Sequence, residues 1–143
     1  MNTQLNSKRG FTLIEVILVL AIAALIFLMV FIALPALQAS QRDTARKNDA
    51  SIVSSAVTQF TSAERRAIAT TDSAALRTYI KALDQYAISG VQVVASGDPT
   101  ATQINVYPAQ KCAGTGLTGG TARQAAVRIM MDNGTTFYCV DAS

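Results

Sequence analysis

Hydrophobic and polar positions divide the chain into stretches of different texture. From Phe11 to Leu37 only Thr12, Glu15 and Pro35 depart from an apolar run, and Val16 to Leu34 has neither charge, glycine nor proline. As a helix rising about 1.5 Å per residue, those nineteen residues span roughly 28 Å, the thickness of a bilayer's hydrocarbon core. A helix apolar on every side must be buried on every side. The 106 residues left after the first ten and this run are too few to wrap it, so a membrane span is predicted over 11–37. A secretory signal peptide cleaved among Ala33, Ala36 and Ala39 is the competing reading.

Beyond Leu37 the pattern changes period. Ala45, Ile52, Val53, Ala56, Val57, Phe60 and Ala63 follow i, i+3, i+4 spacing, with Arg42, Arg46, Lys47 and Asp49 assigned to other faces. This predicts one long helix from about Phe11 to Ala67, bent or loosened by Pro35, which lacks a backbone donor. The basic trio reads as a headgroup contact or a solvated face, with an intersubunit charge contact as the alternative. Thr70 to Ser73 supply a helix stop and a cap. Leu76, Tyr79, Ile80 and Leu83 then mark a second, short amphipathic helix.

Val91 to Ala95 and Thr102 to Tyr107 read as strands around the turn Ser96-Gly97-Asp98-Pro99. Ala126 to Met131 and Thr135 to Val140 flank Asp132-Asn133-Gly134, a hairpin signal, because Asn-Gly accepts positive φ. The predicted fold is therefore α+β: a long helix packed on about four antiparallel strands. Its divisions are a leader (1–10), an apolar helix (11–37), an amphipathic continuation (38–69) and a globular domain (70–143).

Composition narrows the chemistry. Histidine is absent, which removes the commonest general base and zinc ligand and every Ser-His or Cys-His nucleophile. Two cysteines without histidine make a poor metal site, and no acid-base pair of carboxylates is evident after Glu64. No enzyme activity, metal or cofactor is expected. The formal charge of +3 falls to +1 once Lys8 and Arg9 are set aside, which is no nucleic-acid footprint. Gly114 to Gly119 fits G-x-G-x-x-G, but it lies after Cys112 without the strand-to-helix context of a dinucleotide site, so it reads as a flexible exposed loop. Asn133-Gly134-Thr135 matches a glycosylation sequon; a hairpin turn explains it more simply.

Glu15 is the residue that needs a reason. A carboxylate buried in lipid is costly, up to about 2.5 to 3.5 kcal/mol on insertion scales at a helix centre. Either it sits at the membrane interface, where a helix N-terminus favours negative charge, or it is later desolvated beside a positive partner. The string Lys8-Arg9-Gly10-Phe11-Thr12-Leu13-Ile14-Glu15 ahead of a long apolar helix closely resembles the processing site of type IV pilins and pseudopilins. That resemblance implies cleavage after Gly10 by a prepilin peptidase, methylation of the new amine on Phe11, and use of Glu15 to meet the amine of a neighbouring subunit.

Buried opposite charges are tolerable only when paired. The new amine, four residues before Glu15, meets that condition within one chain or between staggered chains. In an exported domain Cys112 and Cys139 read as one disulfide, two buried free thiols being the alternative; many pilins similarly close a C-terminal loop.

The resemblance implies a structural subunit: inserted in the cytoplasmic membrane with its C-terminal domain outside, then polymerised into an extracellular pilus. Its partners would be identical or homologous pilin subunits, the prepilin peptidase and the pilus assembly platform. A pseudopilin of a secretion system, a minor pilin that primes assembly or binds DNA, and a membrane-anchored extracellular binding module are the alternatives.

Overall fold

The computed structural model describes residues 10–142. The leader positions before Gly10, Lys8 and Arg9 included, lie outside the described residues. The chain divides into two compact units, Met1–Gln38 and Ala39–Ser143. Helix α1, Leu13–Glu64, contributes to both.

In the first unit the helix is solvent-exposed at every described position except half-buried Ala23. It is long and apolar enough to cross a membrane. Pro35 lies inside it without breaking it. The proline φ suits a helix, but the ring lacks the donor for the Phe31 carbonyl and also crowds that oxygen.

The second unit is built on the remainder of α1. Asp49, Ala50, Val53, Ala56, Val57 and Phe60 are buried, a stripe at helical spacing that faces the core. Ala63, assigned to that stripe from the sequence, is exposed, while Asp49, assigned to another face, is wholly buried. After α1 come a 3-10 turn at Thr70–Asp72, the helix α2 at Ser73–Arg77 and a second 3-10 turn at Ile88–Gly90.

The helix predicted through Leu83 thus stops at Arg77. Its end tapers through bonds from Thr78, Tyr79 and Ile80 to carbonyls three residues back. The amides of Asp84, Gln85 and Tyr86 then turn to the carboxylate of Asp49 instead of continuing a helical ladder.

Six strands follow: β1 (Val91–Val93), β2 (Ile104–Pro108), β3 (Gln110–Ala113), β4 (Gly116–Gly119), β5 (Ala125–Met130) and β6 (Phe137–Ala142). One sheet has the order β1-β2-β5-β6; β3 and β4 form a separate two-stranded sheet. Val91, Val93, Ile104, Val106, Ala125, Val127 and Ile129 join the buried residues of α1 in one core. The pairing Ile104 to Ile129 and Val106 to Val127 aligns the inward positions, as the two-residue period of a strand requires.

Two features correct the sequence reading. The first is that β1 and β2 are parallel, so the sheet is mixed where an antiparallel one was expected. A parallel neighbour needs a crossover longer than a tight turn, and residues 94–103 provide it by passing over the outward face of β2. The Tyr107 hydroxyl and Asn105 amide donate to the Gly97 carbonyl, Gln110 donates to Ala95, and Arg128 pairs with Asp98. Hence Ile104, Asn105, Val106 and Tyr107 are all buried in succession. The second is that the glycine-rich stretch from Gly114 is no loop. Gly114, at φ +64°, turns the β3–β4 hairpin, with Ala113 opposite Gly116 and Cys112 opposite Leu117.

The expected β5–β6 hairpin is present, with a longer connection than an Asn-Gly pair alone would give. Met131 bonds the carbonyl of Thr136, and Asn133 Oδ1 accepts from the amides of Thr135 and Thr136. Gly134 takes the positive φ, +70°.

Candidate functional site

The start of α1 is formed by its own sequence. Thr12 precedes the first helical residue and Glu15 lies in the first turn. The Thr12 amide and hydroxyl face Glu15 Oε2 at 3.4 and 3.3 Å, and the Glu15 amide faces Thr12 Oγ1 at 3.4 Å. These contacts are long, but their reciprocity is that of a capping box, in which a Thr side chain and a Glu three residues on satisfy each other's free amides. Thr12 is the residue the sequence reading passed over. Its signal was T-x-x-E directly ahead of an apolar run.

Neighbouring positions have no comparable role in the fold. Phe11 is 87% exposed. A Cβ built at Gly10 would meet nothing within 4 Å, so folding does not require glycine there. Glycine at that position, and a large apolar side chain left in solvent beside it, are choices that a recognition event outside the fold would explain.

Across 11–37 the exposed residues include Leu13, Ile14, Phe27, Met29, Phe31 and Ile32, each above 60%. A contiguous apolar surface of this size marks an interaction surface or a lipid contact. Its only described charge is Glu15.

In the second unit the basic residues expected to meet headgroups or to form a solvated face are engaged within the fold, although Arg42 stays half exposed. Arg42 donates through Nε and Nη2 to Asp132 Oδ2 at 3.1 and 2.9 Å. Arg46 is largely buried and donates to the Met130 carbonyl at 2.9 Å, with a longer contact of 3.4 Å to Asp132 Oδ1. It also lies over the Tyr86 ring, as Lys47 lies over that of Tyr138. Asp43 accepts the amide of Asp132 at 2.7 Å. The Arg42 guanidinium holds the Asp132 carboxyl below the usual carboxylate range. Arg42, Asp43 and Arg46 therefore clasp the start of the β5–β6 connection, while Lys47 lies against β6, roles that their sequence spacing could not reveal.

Asp72 is a second carboxylate placed this way. It accepts two bonds from Arg66, at 2.6 and 2.9 Å, and one from the Ala69 amide at 2.8 Å. The Arg66 bonds, chiefly, hold its carboxyl below the usual range. Burial pushes the Tyr86 phenol up, and its hydroxyl donates to the Met130 carbonyl.

Cys112 and Cys139 are joined by a disulfide with Cα atoms 5.7 Å apart. The bond links β3 to β6 and so fixes the two-stranded sheet to the edge of the four-stranded one. Asp141 adds a tie by accepting the Cys112 amide at 2.7 Å. Among the described residues no cluster of three metal-ligating side chains occurs.

Comparison with known proteins places one segment. Residues 5–31 match the family model of the prokaryotic N-terminal methylation motif, the class III signal of type IV pilin-like proteins. No curated protein and no solved structure matches the chain.

Proposed function

We propose that this chain is a structural subunit of a type IV pilus or a closely related filament. The methylation motif at residues 5–31 carries the reading, and the exposed apolar helix behind it supports it. The class III signal implies processing by a prepilin peptidase and assembly with other pilin subunits. In this reading the peptidase cuts after Gly10 and methylates Phe11. Before assembly the helix over 11–37 is held in the cytoplasmic membrane with the C-terminal domain outside; in the filament, neighbouring helices replace the lipid. The chain acts by packing and catalyses nothing.

Glu15 then has two successive partners. In the free subunit it caps its own helix through Thr12. In the filament it pairs with the methylated amine of an adjacent subunit, because an ammonium group moved into an apolar bundle needs a compensating charge. Moving one carboxylate between these partners fixes the axial position of the incoming chain.

The test separates the two partners by mutation. Thr12→Val removes the hydroxyl's share of the cap and keeps the carboxylate; Glu15→Ala removes the carboxylate and leaves the Thr12 hydroxyl to accept the residue 15 amide. Membrane insertion should survive in each, since Glu15→Ala removes a charge and Thr12→Val replaces a hydroxyl with a methyl group, and both changes ease insertion. Thr12→Val subunits should assemble near wild-type yield, whereas Glu15→Ala subunits should produce few fibres in sheared surface material. Wild-type fibre yield from Glu15→Ala, or equal loss in both variants, would show that Glu15 serves only as a cap or a peptidase determinant. Retention of the processed wild-type chain in the envelope, without surface fibres, would assign it to the pseudopilins, whose signal is the same.

A further inference from the structure

The unused feature with the most chemistry lies where α1 ends. A cleft of about 410 Å³ is lined by Thr58, Thr61, Ser62, Arg65, Arg66 and Arg123. Three guanidinium groups reach it from two separate parts of the chain, and among the described residues no carboxylate lines it. Arg66 is occupied in part by Asp72. Arg65 and Arg123 have no ion pair among the described residues, so ten N–H donors of two permanently charged groups remain without an anionic acceptor.

Arg65 is also placed at a conformational cost. It follows the last residue of α1 with φ +53°, the left-handed position that closes many helices and that glycine usually fills. A side chain with a Cβ is disfavoured there, because the Cβ crowds the following carbonyl oxygen. Glycine would end the helix more cheaply but would leave the cleft without one of its cations. The electrostatics allow a ligand. Three positive charges stand against Asp72, against Glu64, whose carboxylate also acts on Arg66, and against the half negative charge of the helix C-terminus, leaving roughly +0.5 around the cleft, carried by Arg65 and Arg123. A helix end of this polarity holds arginines in place, yet it cannot neutralise all three.

We propose that this cleft binds a phosphate group, either as free phosphate or as part of a phosphodiester chain. Arg65 and Arg123 would grip the phosphoryl oxygens with paired N–H donors, the geometry that suits guanidinium to phosphate. The Ser62 hydroxyl would add a neutral donor. This inference is independent of the filament reading, since it uses only residues beyond the apolar helix.

The test uses the full chain in maltoside micelles, labelled with ¹⁵N and read at the arginine Nε–H signals at constant ionic strength. Titration with inorganic phosphate, and separately with a short oligothymidylate, should shift the Arg65 and Arg123 signals saturably. Saturation by phosphate alone identifies the free anion as sufficient; saturation only by the oligonucleotide identifies the phosphodiester. The variant R65Q/R123Q should weaken binding at least tenfold, and R65K/R123K should recover only part of it, because lysine keeps the charge but loses the paired donors. K81Q/K111Q removes the same charge elsewhere and should change affinity less than twofold. Should R65Q/R123Q fail to fold, R123Q alone carries the test, since Arg123 lies on an exposed turn. Absence of saturation with both probes, or equal weakening by K81Q/K111Q, would overturn the proposal.

Discussion

Asp49 offers the most direct perturbation of the second unit. Its side chain is fully buried, and its two oxygens accept the amides of Asp84, Gln85 and Tyr86 at 2.8, 2.7 and 3.1 Å. Among the described residues no cation pairs with it; three backbone dipoles take that place. Hydrogen bonds to a charged group contribute about 1.5 to 3 kcal/mol each, but three that share one carboxylate are not additive. Asp49→Ala strands the buried Tyr86 amide and leaves the other two partly reachable by water, so a net loss below the sum of three such bonds, about 3 to 5 kcal/mol, is expected. Against the total of about 5 to 15 kcal/mol typical of a domain, that approaches unfolding.

Asp49→Asn, which keeps one acceptor and turns an amide group toward a donor, should lose about 2 kcal/mol. Urea unfolding of the full chain in micelles, followed by tyrosine near-ultraviolet circular dichroism because the chain has no tryptophan, measures the loss. Hydrogen exchange at residues 84–86 locates it. A change under 1 kcal/mol in Asp49→Ala would refute the reasoning. So would normal protection at residues 84–86 in a destabilised protein.

Two further outcomes follow from the same unit. Cys139→Ser should cost roughly 3.5 kcal/mol for a closed loop of this length in the chain-entropy model and should make the β3–β4 hairpin the first site of limited proteolysis; unchanged cleavage kinetics would count against it. Asp72 and Asp132 have carboxyl groups held below their unfolded range, so their stabilising contribution is complete above an unfolded carboxylate pKa near 3.9 and is lost as pH falls through the folded values. The urea midpoint should therefore depend little on these groups from pH 7 to 5 and fall below pH 4, more shallowly in Asp132→Asn than in wild type.

What the sequence made legible was whatever repeats with a period or breaks one. The apolar run, the helical stripe from Val53 to Phe60 and the Asn133-Gly134 turn are local patterns, and each appears in the fold where its pattern lies. Contacts between distant residues were not legible. Asp49 looks like a surface charge until residues 84–86 arrive beside it, and Arg42 looks solvated until Asp132 does. The direction of β1 against β2 depends on how residues 94–103 are anchored, and those anchors, Asn105, Tyr107 and Arg128, read locally as alternating strand residues. The β3–β4 hairpin was missed because Gly, Lys and Ala carry little strand signal; its strands are half-buried or exposed throughout. Thr12 was the exception, a local motif eclipsed by the stronger resemblance around it.

The two parts of the chain are stabilised by different means, and this bears on how a filament subunit would behave. The second unit has a modest core for its size and relies on polar ties that tolerate water: a disulfide, a buried carboxylate bonded to three amides, and arginine clasps on Asp72 and Asp132. The apolar helix has no such ties; apart from the cap at Thr12 its side chains contribute no described hydrogen bond across 11–37. Its free energy therefore depends on what surrounds it. Leaving lipid for other apolar helices changes little hydrophobic burial, since lipid tails are as apolar as leucine. Packing and the single charge at Glu15 would then decide assembly. Detergent should accordingly disperse the helix while leaving the second unit folded, and reductant should weaken the second unit while leaving the helix associated. If reductant alone dissolved fibres whose second unit remained folded, polar contacts between the second units, and not helix packing with Glu15, would be what holds the assembly.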